Sequence, residues 1–367
     1  NIYKVMSSSI LVDSITEIKD HMEFDLKNVD LSVVNGLRRI ILTKIPSLVI
    51  RGFPHDANLI QIETNTTKYN NEYLKHRLSC IPILVSNTTS FKKIIKDYIL
   101  KIHLKNDTND KVVLTTKHIK AYNKEGKVGT HLKDIFLEPP IPICYLYPKI
   151  SDSEPYEEFK ASITLSIGTA KEDACWNMVS KCLFFNIEDD EKNEKIMKNI
   201  PEEKHTDFKL LDAQRHYLPN QYRFILETIG VYKNEEIVKM ATMHVVDTFN
   251  TFIEYLNEVA IKNYVPNIPV EGPFHIYKKK VIDNDIMYII KLEEDDYTYG
   301  KLIEKYLYNK YKDIFKFVSF KKEHPHDKHS LVQVVYIEHN SDSDNTLKQF
   351  LLDVFKQIQI DFRNIKV

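Results

Sequence analysis

The stretch VDLSVVNGLRRIILTKIP, residues 29–46, contains the clearest fold signal in the sequence. Its apolar side chains recur every three or four positions, which predicts an amphipathic helix with one buried face. Asp30 is placed to cap the amino end, and Pro46 lies just past the carboxyl end. Gly36 in the interior costs about 1 kcal/mol relative to alanine, which suggests close packing there. The apolar positions are Leu31, Val34, Leu37, Ile41 and Ile45.

The same order of elements is predicted twice along the chain. HMEFDLK, residues 21–27, alternates apolar and polar side chains and predicts a strand before the first helix. A later strand, QYRFILETIG, leads into a long helix predicted over residues 235–264. Residues 277–367 again predict a strand, a helix, two strands and a long final helix over Asn345–Asn364. We expect the two portions to pack as a pseudo-symmetric pair that shares one core.

Residues 48–162 predict a β-rich insertion, because runs such as YILKIHL and KVVLTT alternate with Asn, Thr and Asp clusters. Within it, Tyr69–Ile83 predicts a short helix that stops before Pro82. Residues 137–149 predict an irregular loop and residues 159–167 a single strand. Residues 185–199 predict a charged loop.

Composition and charge exclude several classes of protein. The 367 residues suffice for two domains with separate cores, and a net charge of -1 provides no overall field that would attract nucleic acid. The four cysteines lack paired spacing, so we expect a reducing compartment and neither a disulfide framework nor a zinc site. No run approaches the ~20 apolar residues that cross a bilayer, so we expect a soluble protein. The sequence also lacks a glycine-rich phosphate loop and a compact run of aspartates for magnesium.

Three segments resemble the RNA polymerase alpha-subunit family. The first helix contains the family's Asn-small-Leu-Arg-Arg core at residues 35–39, and residues 65–83 resemble a second signature with His-Arg-Leu at residues 76–78. Cys80 stands there where the family usually has Leu. GTAKEDACWNMV, residues 168–179, is similar to a stretch of the eukaryotic and archaeal members.

The carboxyl-terminal part resembles a different polymerase subunit. EEDDYTYGKLIEKYL, residues 293–307, followed by VSFKKEHP, is similar to the eleventh subunit of eukaryotic RNA polymerase II, the smaller partner of the alpha-like third subunit. Tyr297 and Tyr299 depart from the usual His and Leu. The resemblance implies that both subunits are joined in one chain, an arrangement most similar to the polymerases of large double-stranded DNA viruses.

This resemblance implies an α+β fold, in which an alpha-like dimerisation domain with a β-rich insertion is fused to a second, smaller dimerisation-type domain. The implied domains are residues 1–47 with 163–265, the insertion 48–162, a linker 266–276 and the second domain 277–367. The expected core of this intramolecular pseudo-dimer consists of Leu37, Ile41, Phe249, Ile253, Leu256, Leu302, Phe350, Leu351, Val354 and Ile358.

The implied function is that of a non-catalytic assembly subunit of a multisubunit DNA-dependent RNA polymerase. Its partners would be the two largest subunits and a small subunit of the same enzyme, with DNA and RNA contacted only through the complex. No cofactor, metal or membrane is expected, and the family's four-cysteine zinc loop is missing. The expected location is the host cytoplasm or the virion, with the nucleus left open. The residues expected to contact partners are Asn35, Arg38, Arg39, Glu72, His76, Arg77, Lys171 and Trp176.

Other interpretations of these residues remain open. Cys80 follows His76 by four positions on one helical face, which is compatible with a free-standing thiol hydrolase. A protein that binds DNA directly would show a strongly salt-dependent affinity, which the net charge disfavours. The segment HPHDKH supplies three histidines, but neither a cysteine nor a carboxylate cluster completes a metal site. Trp176 suits a core position as well as an interface.

Overall fold

A computed structural model describes residues 10–123, 126–129, 134–149, 151, 154–264, 271–281, 285–339 and 342–367. The chain forms two compact units. Unit 1 comprises Asn1–Ile41, Lys181–Leu226 and Glu235–Val367, and unit 2 comprises Leu42–Ser180 and Glu227–Asn234. The predicted insertion, residues 48–162, lies inside unit 2, which extends beyond it on both sides.

Strands and helices are both abundant. In chain order the strands are β1 (Leu11–Ile18), β2 (His21–Lys27), β3 (Ser47–Ile50), β4 (Ile60–Asn65), β5 (Tyr98–Lys105), β6 (Val112–Thr115), β7 (Ile119–Asn123), β8 (Pro142–Leu146), β9 (Glu158–Ile163), β10 (Leu165–Gly168), β11 (Val179–Glu188), β12 (Tyr217–Thr228), β13 (Ile261–Asn263), β14 (Phe274–Lys280), β15 (Ile286–Leu292), β16 (Phe315–Lys321) and β17 (Ser330–Tyr336). The helices are α1 (Leu31–Thr43), α2 (Asn71–Ser79), α3 (Phe91–Asp97), α4 (Asp190–Met197), α5 (His205–Asp207), α6 (Asn234–Glu258), α7 (Tyr299–Tyr311) and α8 (Ser343–Asn364).

Unit 1 contains one arrangement of elements twice. The first sheet has the strand order β1-β2-β12-β11, and in the second sheet β14-β15-β17-β16 repeat that order, with β13 added beside β14. In each case the first two strands precede a 13-residue helix, α1 or α7. The other two strands precede a long helix, which is the 25-residue α6 or the 22-residue α8. The recurrence of element order predicted from sequence is therefore present in the structure.

Helix α1 forms where the periodicity predicts it. The carboxylate of Asp30 accepts hydrogen bonds from the backbone N–H and the hydroxyl of Ser32, at 2.9 and 2.8 Å, so the predicted cap is confirmed. Leu37 and Ile41 are buried as predicted, whereas Leu31, in the first turn, is 51% exposed. The helix therefore buries its apolar stripe from Val33 onward.

Unit 2 is built around the four-stranded sheet β4-β9-β5-β7, accompanied by the two-stranded pairs β3–β10 and β6–β8. The single strand predicted over residues 159–167 is wrong: β9 pairs with β4 and β5, whereas β10 pairs with β3. Continuous alternation of side chains carries no sign of such a change of partner, because both strands have the same period.

The irregular loop predicted over residues 137–149 contains β8. Pro142 is the first residue of this strand, which pairs with β6, and the first position of a strand tolerates a missing N–H. Ile143 and Leu146 are buried. The prolines therefore mark the boundary of a strand and not its absence.

Three other predictions differ from the structure. The charged loop over residues 185–199 contains the end of β11 and the helix α4, which Asp189 caps by accepting from Lys192 N–H at 3.0 Å. The long helix α6 ends at Glu258, ahead of β13. Residues 266–270 of the predicted linker lie outside the described residues, and β14 begins within its last part. None of the helices in the described ranges has the length and apolar composition that a membrane crossing requires.

Candidate protein-binding surfaces

The exposed face of α1 in unit 1 presents two arginines in different surroundings. Arg38 donates from Nε and Nη2 to the side-chain oxygen of Asn35, at 3.2 and 3.1 Å. Asn35 therefore orients the guanidinium group from one turn away. Within the described ranges no ion pair joins Arg38 to a carboxylate, and two of its guanidinium nitrogens bind Asn35.

Arg39, by contrast, is bound to the carboxyl-terminal part of the same chain. Its Nε donates to the Thr298 hydroxyl at 3.1 Å, and Nη2 contacts the Asp296 carboxylate at 2.5 Å. The guanidinium carbon also lies 5.8 Å from the centre of the Tyr297 ring. These contacts make Arg39 a link between α1 and the turn that precedes α7.

The turn before α7 is held by hydrogen bonds to the side chain of Asp295. The buried Asp295 carboxylate accepts from the N–H groups of Tyr299 and Gly300 at 3.1 and 3.0 Å and from the Ser330 hydroxyl at 2.8 Å. The carboxylate thereby satisfies donors at the amino end of α7. Asp295 thus fixes the segment that Arg39 contacts.

Helices α6 and α8 meet through an aromatic cluster. The ring of Phe249 lies 5.4 Å from that of Phe355, and Phe252 lies 5.7 Å from the same ring. Phe274 and Tyr299 complete the cluster, at 5.4 Å from Phe252 and 5.9 Å from Phe249 respectively. Rings at these distances contribute about 0.5–1.5 kcal/mol per pair beyond the area they bury.

A polar contact also joins these two helices inside the core. Gln359 of α8, 5% exposed, donates to the carbonyl oxygen of Val246 at 3.0 Å and to the side-chain oxygen of Asn250 at 2.7 Å, both on α6. The Tyr299 hydroxyl lies 3.3 Å from the Thr248 hydroxyl, and burial raises the pKa of Tyr299 to about 12, so the phenol stays protonated. Helix α6 therefore contacts both α7 and α8 in a fixed geometry.

Most residues predicted for the shared core are buried in unit 1. Two are only partly buried: Ile253, and Phe350, whose ring stacks on Tyr311 with centres 4.1 Å apart. Sequence reasoning missed Phe274, Phe355 and Gln359, although Phe355 follows Leu351 at helical spacing. The buried residues are Leu37, Ile41, Phe249, Leu256, Leu302, Leu351, Val354 and Ile358.

In unit 2, helix α2 presents one polar face to solvent. Asn70 caps it by accepting from Tyr73 N–H at 2.7 Å, and Leu74 and Leu78 are buried beneath it. Glu72 and His76 are exposed on the opposite side. Arg77 is partly buried, and its Nη2 donates to the carbonyl oxygen of Pro142 at 2.5 Å. Of the polar signature residues on α2, Glu72 and His76 are therefore exposed, whereas Arg77 is hydrogen-bonded to β8.

The third predicted segment surrounds Trp176, which is only 3% exposed. A Cβ at Gly168 would lie 2.6 Å from Trp176 Cε3, so glycine is required beneath the indole ring. Above the ring, the guanidinium carbon of Arg51 lies 4.6 Å from its centre, and Arg51 is paired with Glu172 at 2.9 Å. Trp176 therefore occupies a core position covered by the partly buried Arg51, whereas Lys171 of the same segment is exposed.

The side chains considered for a hydrolase do not form a catalytic pair. Among the described residues no hydrogen bond joins the side chains of His76 and Cys80; only the backbone N–H of Cys80 bonds to the His76 carbonyl, at 3.2 Å, at the end of α2. In HPHDKH, the Asp327 carboxylate accepts from His324 N–H at 2.9 Å. Across the described ranges no three His, Cys, Asp or Glu side chains are grouped as metal ligands.

Comparison of the sequence with known proteins identifies relatives of this chain. The RNA polymerase Rpb3/Rpb11 dimerisation domain is the family whose sequence model matches residues 23–249, more than half of the chain. That range includes α1, α2 and the Trp176 segment.

Three curated relatives are similar over shorter segments. DNA-directed RNA polymerases II, IV and V subunit 3 of Arabidopsis thaliana is 33% identical over 79 residues, 21% of this chain and 23% of the relative. DNA-directed RNA polymerase II subunit RPB3 of Schizosaccharomyces pombe is 39% identical over 69 residues, 19% of this chain and 21% of the relative. DNA-directed RNA polymerases I and III subunit RPAC1 of Mus musculus is 33% identical over 73 residues, 20% of this chain and 19% of the relative. The matched segment spans less than a quarter of each relative's length.

Proposed function

Because the chain belongs to the RNA polymerase Rpb3/Rpb11 dimerisation domain family, we propose that it is a non-catalytic assembly subunit of a multisubunit DNA-directed RNA polymerase. The three relatives described above are named as subunits of such polymerases. The chain's role is to gather the two largest subunits, which carry the catalytic site. A small subunit of the same enzyme is a further partner, and DNA and RNA are reached only through the complex.

We propose that residues 277–367, together with the start of β14 at Phe274, act as the smaller dimerisation partner, fused to the alpha-like part. The observation that carries this proposal is the repeated strand order of the two sheets in unit 1, each followed by a long helix. The aromatic contacts between α6 and α8 and the Arg39–Asp296 pair support it, because they join the two repeats. Fusion places the repeats at an effective concentration on the order of millimolar, so pairing needs no second chain.

The partner-binding groups in this proposal are polar side chains of both units that are exposed or partly exposed. Arg38 carries a charge without a carboxylate partner in the described part of the chain, and Asn35 holds it in one orientation. Glu72, His76 and Lys171 are exposed in unit 2. Arg39 and Arg77 serve chiefly within the chain, since each is held by a contact to another of its segments. The fused arrangement is also the basis for proposing a viral polymerase that works in the host cytoplasm or the virion.

Affinity purification of the tagged chain from the cells that produce it tests this function. We expect two very large polypeptides with polymerase sequences to follow the bait, and the combined Arg38→Ala and Glu72→Ala changes to reduce their recovery severalfold. Arg215→Ala is the matched control, because its side chain is 78% exposed and lies away from these segments in sequence. Recovery of the bait alone, or hydrolytic activity of the isolated chain that Cys80→Ala abolishes, contradicts the proposal.

A further inference from the structure

Two of the four cysteines meet in unit 2, although 95 positions separate them in sequence. Cys80 ends helix α2, and Cys175 lies in the short turn Ala174–Trp176. Cys175 Sγ lies 3.7 Å from the carbonyl oxygen of Ser79, the residue before Cys80, so the two cysteines are neighbours in the folded unit. A disulfide can join neighbouring cysteines whose Cα atoms are less than about 7 Å apart.

Both cysteines are held in place by their backbones. The Cys80 N–H bonds to the carbonyl oxygen of His76 at 3.2 Å, which closes the last turn of α2. The Cys175 N–H bonds to the carboxylate of Asp173 at 3.0 Å, and the next residue, Trp176, is buried. Both cysteines therefore lie in segments that the fold of unit 2 holds in place.

The two thiols have unequal access to solvent. Cys80 is exposed, whereas Cys175 is partly buried. Burial raises the pKa of the Cys175 thiol well above its ordinary value, and the hydrogen bond to Asp173 adds to this effect. A small oxidant therefore reaches Cys80 first, and Cys175 loses its proton only as it attacks in the second step.

We propose that Cys80 and Cys175 form an oxidation site, at which hydrogen peroxide converts the thiol pair into an intramolecular disulfide. In the first step the Cys80 sulfur bonds to one peroxide oxygen, the O–O bond breaks, and the released hydroxide takes the thiol proton to form water. In the second step the Cys175 sulfur attacks the sulfenic acid sulfur, and the displaced hydroxide leaves as water with the Cys175 proton. Two thiols and one peroxide give one disulfide and two waters, so the sulfurs are oxidised and the peroxide is reduced.

The disulfide would join α2 directly to the segment that packs Trp176. It closes a loop of almost a hundred residues, which restricts the unfolded chain far more than the folded one. Glu72 and His76 lie on the same helix as Cys80, so oxidation would also fix the position of these exposed groups. Reduction by a thiol would reverse the change.

Peroxide treatment of the purified full-length chain, followed by thiol counting after denaturation and by peptide mapping, tests the site. We expect the count to fall from four free thiols to two, with the Cys80 and Cys175 peptides linked and the count restored by dithiothreitol. The rate should not depend on protein concentration, because the reaction is intramolecular. Disulfide-linked dimers through Cys80, or no linkage between these two peptides, would overturn the proposal.

Cysteine-to-serine variants separate the two steps. In Cys175→Ser the Cys80 sulfenic acid has no neighbouring thiol, so we expect at least tenfold more labelling by dimedone than in the unchanged protein. Cys80→Ser should leave Cys175 unreacted, and Cys144→Ser, which removes a buried thiol, should behave like the unchanged protein. Equal dimedone labelling with and without Cys175 refutes the second step. Circular dichroism of each variant establishes that the fold is retained.

Discussion

At the scale of single residues, the glycines at positions 36 and 300 stand in two helices for different reasons. A Cβ at Gly36 of α1 would lie 3.6 Å from Leu302, which is an ordinary contact distance. A Cβ at Gly300 of α7 would lie 2.5 Å from Phe320. The suspected need for a close approach therefore applies to Gly300, while alanine fits at Gly36.

These two glycines give a matched pair of stability predictions. Gly36→Ala should raise the free energy of unfolding by up to about 1 kcal/mol, because it removes backbone freedom from the unfolded chain. Gly300→Ala should lower it by about 1–3 kcal/mol, because the Phe320 ring must move. Urea unfolding followed by circular dichroism measures both. If both changes shift the urea midpoint of unfolding in the same direction, the packing around these two glycines differs from that in the structure.

Arg38 and Arg39 are neighbours that should differ in what their removal changes. Arg39→Ala breaks a partly exposed ion pair and a hydrogen bond, so we expect a loss of stability of about 0.5–1 kcal/mol. Arg38→Ala removes only the contact with Asn35 and should change the free energy of unfolding by less than about 0.5 kcal/mol. Thermal unfolding compares the two, with Asp296→Asn expected to cost at least as much as Arg39→Ala, because Asp296 also lies 3.6 Å from the ammonium group of Lys322, whose side chain is buried. A larger loss at Arg38 would reverse these assignments.

Asp344, in the first turn of α8, makes stability depend on acidity. Burial opposes its charge, but hydrogen bonds from Tyr288 and Lys278 outweigh that effect and lower the pKa of this carboxyl below its ordinary value of 3.8. The folded state therefore binds fewer protons than the unfolded state in this range. The stabilisation is complete above about pH 4 and is lost as the pH falls through the lowered pKa.

Asp344→Asn tests this dependence, because asparagine can still accept the Tyr288 hydrogen bond but carries no charge. We expect the variant to melt at a lower temperature than the unchanged protein at pH 7, and the difference to shrink as the pH is lowered toward 3. A difference in melting temperature that stays constant over that range would mean that the charge of Asp344 contributes nothing.

At the scale of elements, the contact between α6 and α8 carries much of the core of unit 1. Phe355 is fully buried and lies next to Phe249, Phe252 and Phe274. Truncation to alanine should cost about 3–5 kcal/mol, since it combines lost burial with a cavity. Ile360→Ala on the same helix is the control, because Ile360 is 48% exposed and should cost less than about 1 kcal/mol. Equal losses of unfolding free energy in the two variants would mean that α8 turns a different face toward the core.

At the scale of the whole molecule, the proposed pairing of the two repeats predicts that they stay together when the chain is cut. A protease site introduced at residues 266–270 would give an amino-terminal and a carboxyl-terminal fragment. We expect both to elute as one species in gel filtration, because α1 contacts the segment before α7 and α6 packs on α8. Phe355→Ala should promote their separation. Fragments that separate without that change would contradict the proposed pseudo-dimer.

The amino-acid sequence by itself determined those elements whose pattern is local. The period of α1, its cap at Asp30, the end of α2 before Pro82 and the alternation in β2 all follow from neighbouring residues. The same holds for the motifs that carry the family resemblance. Each depends on spacing within one segment, and spacing is fully present in the sequence.

Only the tertiary structure decided how side chains distant in sequence are used. It separated Arg38 from Arg39 by supplying Asp296 to one of them, buried Trp176 under Arg51, and brought Cys175 to the carboxyl end of α2. It also divided residues 158–168 between two sheets. Such outcomes depend on which surfaces remain after the chain has packed, and a hydrogen bond or ring contact between remote segments leaves no periodic trace in either segment.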